Sequence, residues 1–270
     1  VNLIQTNKFS HISDDKTIFF SKIDLIESVI EQIKSEKNNC VLIVGNGDLP
    51  FTNEIEINIP KNVVRIFAQN NLSKSKRVES LPLGIGNSEP CLKSGHGEHW
   101  EDVIEKVEIL NKLNKKNNKN FSIYCNFRDY TFPSHRIYIK NISKNLNYID
   151  VDESDLNYMD FINKILMHSC NICPAGNGLD THRLWETLYC YRMPITFRVN
   201  KTRSYEWIDN GEIGIYDDLY SKLPIIVLEN EEELTNKNLI KKKYINARKN
   251  WENIHLLDFN YWEDKIKKIL

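Results

Sequence analysis

The chain has little glycine and little proline, ten and eight in 270 residues. That scarcity excludes a collagen-like chain or a Pro/Gly-rich disordered one. Net charge is also missing: 36 Lys plus Arg stand against 37 Asp plus Glu. Without a global positive field, non-specific nucleic-acid binding is not expected, and any anion must be held by a local site. No apolar run reaches the roughly 18 to 20 residues of a membrane span, and no charged-then-apolar leader opens the chain. A cytoplasmic protein is the expectation. The six cysteines, Cys40, Cys91, Cys125, Cys170, Cys173 and Cys190, are dispersed, unlike the dense pattern of a disulfide-stapled domain. Cys170 and Cys173 form a C-x-x-C, but no second pair lies nearby, so a zinc or redox reading is disfavoured. Cys173 reads as a small buried residue at a strand end.

What is present is an ordinary globular composition, 41% apolar and 27% charged, long enough for one large α/β domain or two small ones. Cys40 to Val44 is a short apolar run that ends at Gly45-Asn46-Gly47-Asp48, a strand followed by a loop. Ahead of it, Ile23, Ile26, Val29, Ile30 and Ile33 recur at helical spacing. Strand and helix patterns then alternate to Leu228, with strands expected at 63–68, 78–83, 121–126, 148–151, 171–173, 194–199 and 225–228. Helices are expected at 99–113, 134–146, 160–167 and 180–191, and through most of 231–270. This is the rhythm of parallel α/β units, whose functional loops gather at the carboxyl ends of the strands. The polar run 114–120 reads as a linker. It divides a first half, 1–116, from a second, 117–270, with the last helix packing back on the first. Basic residues cluster at Lys112 to Lys119 and at Lys241 to Lys249, as solvated helix faces first and a peripheral membrane contact second.

The densest chemistry lies at Asn171 to Pro194. Pro174-Ala175-Gly176-Asn177-Gly178 supplies two glycines able to take positive φ and bring backbone amides close to an anion. Asp180 or Thr181 then caps a helix whose first amides point to the same spot, with Arg183 nearby. Glu186 shares a helix face with Arg183 and sits where a carboxylate can accept ribose hydroxyls. The plainer alternative is a capped helix with an Arg183/Glu186 pair.

The residue order Cys173-Pro174-x-Gly176-Asn177-Gly178-x-Asp180-Thr181-His182-Arg183-x-Trp185-Glu186-x-Leu188 strongly resembles the donor-binding segment of exostosin-like glycosyltransferases. Phe121 to Phe127, followed by Arg128 and Arg136, is similar to the strand and loop that open the family's donor domain. Gly45 to Asp48, Phe67 to Asn71 and Leu81 to Ser88 with His96-Gly97 are similar to its short bacterial and viral members. The likeness spans roughly residues 40 to 200. Ala175 stands where the family often has Arg, and Tyr191 where it has a small residue. The resemblance implies the GT-B architecture, two Rossmann-like α/β domains facing a cleft, with a nucleotide-sugar, favoured as UDP-linked, held mainly by the second.

On that reading Arg128, Arg136 and Arg183 are candidates to neutralise the departing diphosphate, Arg128 first because it follows a strand directly. Gly176, Asn177, Gly178, Asp180, Thr181 and Glu186 complete the donor site. Asp48 is the candidate base for a glycan or lipid-linked glycan hydroxyl in an inverting transfer, or else a turn aspartate; His96, Glu98 and His99 are alternatives. Asp150-Val151-Asp152 matches a metal-binding Asp-x-Asp only superficially, and no essential metal is expected. Trp185 and Tyr189 read as core, and Tyr205 and Trp207 as possible pocket residues. Two rivals are a non-catalytic nucleotide-sugar or glycan-binding module of a polysaccharide assembly, and an α/β enzyme of phosphorylated metabolites.

Overall fold

Two parallel sheets organise the chain in the computed structural model, which describes residues 1–88, 100–113, 121–153, 155–198 and 214–270. The first holds β1 (Ile18–Ser21), β2 (Cys40–Val44), β3 (Val63–Ala68) and β4 (Val78–Ser80), in the order β1-β2-β3-β4. The second holds β5 (Ile123–Cys125), β6 (Ile149–Val151), β7 (Cys170–Ile172), β8 (Met193–Phe197) and β9 (Ile226–Leu228), in the order β6-β5-β7-β8-β9. The helices are α1 (Thr6–Ser10), α2 (Ile26–Lys34), α3 (Asn53–Ile57), α4 (Trp100–Lys112), α5 (Pro133–Lys144), α6 (Tyr158–Met167), α7 (His182–Tyr189), α8 (Gly214–Asp218), α9 (Lys237–Ala247) and α10 (Phe259–Lys267).

The chain separates into two compact units. Unit 1 comprises Val1–Ile104, Glu212–Leu219 and His255–Leu270; unit 2 comprises Glu105–Gly211 and Tyr220–Ile254. The break therefore falls inside α4, some residues before the expected division at 116/117, because a continuous amphipathic helix carries the chain across it. The run 114–120 lies outside the described residues. The last helix belongs to unit 1: the Phe259 amide donates to the Asn2 carbonyl at 2.9 Å, and its ring lies 5.2 Å from that of Phe9.

In unit 1, all five residues of β2 are buried, as expected for an apolar strand flanked by parallel neighbours on both edges. Ile26, Ile30 and Ile33 of α2 pack on the same core as β2. Each such burial contributes roughly 1.5–3 kcal/mol. In unit 2 the strand order carries a further consequence. The chain leaves β5, adds β6 on one side, then crosses over to place β7 on the other. Loops at the carboxyl ends of β5 and β7 therefore run to opposite sides, opening a crevice at the place where α/β sheets bind ligands. The first sheet, in sequential order, has no such reversal among its described strands.

Among the described residues, no helix is long and apolar enough to cross a membrane.

Candidate functional site

The two loops at this reversal are the two that the sequence singles out. After β5 comes 126–132, carrying Arg128; after β7 comes 173–181, carrying the glycine corner. Arg136, in the second turn of α5, ties them together. Its Nε donates to the Ala175 carbonyl at 2.9 Å and its Nη2 to the Pro174 carbonyl at 3.3 Å, while Nη1 donates to the Arg128 carbonyl at 2.8 Å. One turn further, Lys140 is buried, with Nζ 2.7 Å from Asp129 Oδ1 and 3.5 Å from Glu153 Oε2. Arg136 and Lys140 thus clamp the Arg128 loop from one helix face.

Arg136, a phosphate-ligand candidate by sequence, has its guanidinium on three backbone carbonyls. Arg128 is different, being exposed, with Nη1 donating to the Tyr130 hydroxyl at 3.0 Å. Arg183 is half-buried, its guanidinium on the Asn126 carbonyl, 3.2 Å from Asn126 Oδ1 and 4.2 Å above the Phe161 ring. Arg128 is the cation of the three that faces solvent.

The glycine corner is built otherwise than expected. Neither Gly176 nor Gly178 has positive φ. Gly176 is required by close approach, since a Cβ there would lie 2.8 Å from Arg136 Nη2. Its amide donates to the Gly178 carbonyl at 2.9 Å, closing a tight turn with Asn177 exposed at the apex. The Thr131 hydroxyl lies 3.8 Å from the position of that Cβ and, like the Thr181 hydroxyl, is buried with no hydrogen-bond partner.

Helix α7 begins at His182, with Thr181 in the N-cap position but making no side-chain cap. Asp180 does not cap it either. Its carboxylate is buried and accepts from Trp185 Nε1 at 2.8 and 2.9 Å, from the Tyr220 hydroxyl at 2.7 Å and from the Thr181 amide at 3.0 Å. Three donors meet the desolvation cost of the charge, so Asp180 braces this loop against Trp185 and Tyr220. Trp185 and Tyr189 are both buried, in keeping with a core role.

Arg183 and Glu186 share a helix face but do not pair. Glu186 is buried, 3.6 Å from Lys106 Nζ of α4. Tyr158 stands beside it. Burial first, and the Glu186 charge second, push the Tyr158 phenol well above its ordinary range, yet its hydroxyl makes no well-formed hydrogen bond. Lys106 lies 5.0 Å above the Tyr158 ring. A carboxylate can accept about four hydrogen bonds, so this long ion pair leaves Glu186 with acceptor capacity to spare.

Asp150 and Asp152 are engaged with cationic or titratable side chains: Lys164 Nζ is 3.0 Å from Asp152 and 3.9 Å from Asp150, and His168 Nε2 is 3.4 Å from Asp150. The Tyr124 hydroxyl donates to Asp152 at 3.2 Å. Cys170 and Cys173 are buried, and burial raises both thiols to about 12.

In unit 1 the Gly45–Asp48 turn is organised by Gln69. Its Oε1 accepts the Asn46 amide at 2.9 Å and would lie 2.8 Å from a Cβ on Gly45; its Nε2 donates to the Pro82 carbonyl at 2.9 Å. Asn46 carries the positive φ, 59°. Asp48 stands exposed beyond this turn. His96, Glu98, His99, Tyr205 and Trp207 lie outside the described residues.

Sequence reasoning missed Lys140, Lys106, Tyr158 and Tyr220. The first had a faint signal, four residues after Arg136 on one helix face; the others meet the site only through tertiary packing. A scan of protein-family models and a search of curated proteins both find no match to this chain.

Proposed function

We propose that the chain is a GT-B glycosyltransferase of exostosin-like type, which transfers a sugar from a nucleoside diphosphate carrier to a glycan hydroxyl. The observation that carries this reading is a coincidence of two independent features. The Cys173–Leu188 order that resembles a donor-binding segment occupies the carboxyl end of β7, at the strand-order reversal where α/β sheets bind nucleotides. In this scheme exposed Arg128 neutralises charge on the leaving diphosphate, and Glu186 accepts ribose hydroxyls. Asn177 and the Thr131 and Thr181 hydroxyls offer uncharged hydrogen-bonding groups around the same corner. Asp48 of unit 1 is the proposed base, and UDP the favoured carrier. The acceptor is a glycan, free or lipid-linked, and the transfer inverts the anomeric centre without an essential metal.

Calorimetric titration with UDP, GDP, CMP and their sugars, paired with a hydrolysis assay, tests it. Binding of one nucleotide with release of its sugar supports the proposal; neither binding nor hydrolysis across the panel sinks it. Loss of turnover in EDTA with recovery in Mg²⁺ or Mn²⁺ refutes the metal-free step. The second reading, a non-catalytic nucleotide-sugar or glycan-binding module, is favoured by one observation: Arg136 and Arg183 both spend donors on backbone carbonyls. Tight binding without turnover, unchanged in Asp48→Asn, selects that alternative.

A further inference from the structure

Residues 237–249 carry six cations and no anion, within a chain that is almost neutral overall. They form α9 and the turn that follows it. The helix packs inward through Ile240, which is fully buried, and through half-buried Tyr244 and Ala247 on the unit 2 core. Its outer face is exposed, and Ile245 lies at its centre, 67% accessible. The positions three and four residues to either side of Ile245 are Lys241, Lys242, Arg248 and Lys249, all exposed. Helical geometry makes those four its surface neighbours.

None of the four, nor Lys237, makes an ion pair among the described residues. Lys243, by contrast, turns away to the Val227 carbonyl at 2.9 Å and to Glu233 at 3.7 Å. Aromatic faces underlie three of the exposed cations: Lys237 lies 4.9 Å above Tyr148, Lys241 5.7 Å above Phe121 and Arg248 5.8 Å above Tyr244. These stems are partly ordered before any partner arrives, which lowers the entropic cost of binding.

From this arrangement we infer that the α9 face docks the protein on an anionic lipid surface, with Ile245 entering the headgroup boundary inside a ring of cations. An apolar residue encircled by unpaired cations complements a surface that is anionic outside and apolar just beneath. A nucleic-acid backbone would use the cations and leave Ile245 idle.

The test is sedimentation of the intact protein with phosphatidylcholine vesicles, with and without phosphatidylglycerol. Binding is expected only with the anionic lipid and should fall as salt rises. Lys241→Gln and Lys242→Gln should each weaken partitioning about fivefold, and Ile245→Ser should weaken it further with no change in charge. Ile245→Trp should keep binding and shift its fluorescence to the blue on contact with vesicles. Circular dichroism of each exposed-site variant controls for folding. Absence of anionic-vesicle binding overturns the inference. So does equal binding by Ile245→Ser, or duplex DNA competing off the vesicles while Ile245→Ser binds DNA normally.

Discussion

Gly176 leaves the space that Arg136 needs: a Cβ on Gly176 would fall 2.8 Å from Arg136 Nη2, whose guanidinium is held by carbonyls on two loops. The long side chain cannot yield cheaply while those bonds hold its far end. Gly176→Ala should therefore cost about 1–3 kcal/mol of stability through overpacking and displaced hydrogen bonds, and should lower nucleotide affinity. Urea unfolding measures the first and calorimetry the second. A variant as stable as the parent, with normal binding, would show that the corner has slack.

Arg128 and Arg136 should separate stability from binding. Arg128 is exposed, so Arg128→Ala should leave stability within about 0.5 kcal/mol while weakening diphosphate binding roughly tenfold or more. Arg136→Ala removes the donors of three carbonyls and should lower stability by about 1–3 kcal/mol. Denaturation and UDP titration of the two variants check this; the reverse pattern would exchange their roles.

Much of the fold was legible because parallel strands are apolar runs and their crossover helices are amphipathic. Cys40–Val44, Val63–Ala68 and the helix from Trp100 to Lys112 stand where periodicity puts them. The short helices at Thr6–Ser10, Asn53–Ile57 and Gly214–Asp218 did not show themselves, since five residues give too little periodicity to read. Asp180 looked like a helix cap because an Asp ahead of a helix usually is one. Of its real partners, Trp185 lies five residues on in α7, while Tyr220 depends on where the chain after β8 returns, which no local pattern encodes. Arg136 shows the same limit: spacing places it near the corner, but only the folded loops decide that carbonyls take its donors.

Glu186 carries the ribose assignment: it lies 3.6 Å from Lys106 Nζ with Tyr158 beside it, and a carboxylate has acceptor sites beyond these neighbours. Glu186→Ala should weaken nucleotide affinity roughly tenfold, the loss of hydrogen bonds to a charged acceptor, and weaken the 2′,3′-dideoxynucleotide little. Glu186→Gln should fall between. Equal loss for both nucleotides in Glu186→Ala, or none for either, removes the ribose role.

The buried thiols predict the alkaline limit of stability. Cys125, Cys170 and Cys173 are raised by burial to about 12, against an ordinary value near 9. Between those pH values the unfolded chain releases thiol protons that the folded chain keeps, so the folded state binds more protons and stability falls as pH rises. The contribution is complete below about pH 9, and above it each thiol loses up to about 1.4 kcal/mol of stability per pH unit. Urea midpoints should drop between pH 8 and pH 10, and less steeply in Cys170→Ala. Identical slopes in parent and variant would assign the alkaline loss to other groups. In native protein at pH 8, the three should resist alkylation until it unfolds.

Helix α7 ends on a residue that its geometry disfavours. Tyr191 sits at φ 55°, its amide bonded to the Leu188 carbonyl at 2.9 Å, while the next amide, of Arg192, reaches the Thr187 carbonyl at 3.1 Å. This is the paired hydrogen bonding of a helix stop that normally uses glycine. A non-glycine residue pays about 1 kcal/mol or more for that conformation. Tyr191 offsets the strain by stacking on Trp251, with ring centroids 5.3 Å apart and planes 10° from parallel, a contact worth about 0.5–1.5 kcal/mol beyond its area. Tyr191→Gly loses the stack and relieves the strain, so it should stay within about 1 kcal/mol of the parent. Tyr191→Ala loses the stack and keeps the strain, and should be less stable than the glycine variant by about 1 kcal/mol. Chemical denaturation of the three proteins, repeated in a Trp251→Ala background, isolates the stacking energy. Equal stability of the Gly and Ala variants would mean that the left-handed backbone at Tyr191 carries no strain.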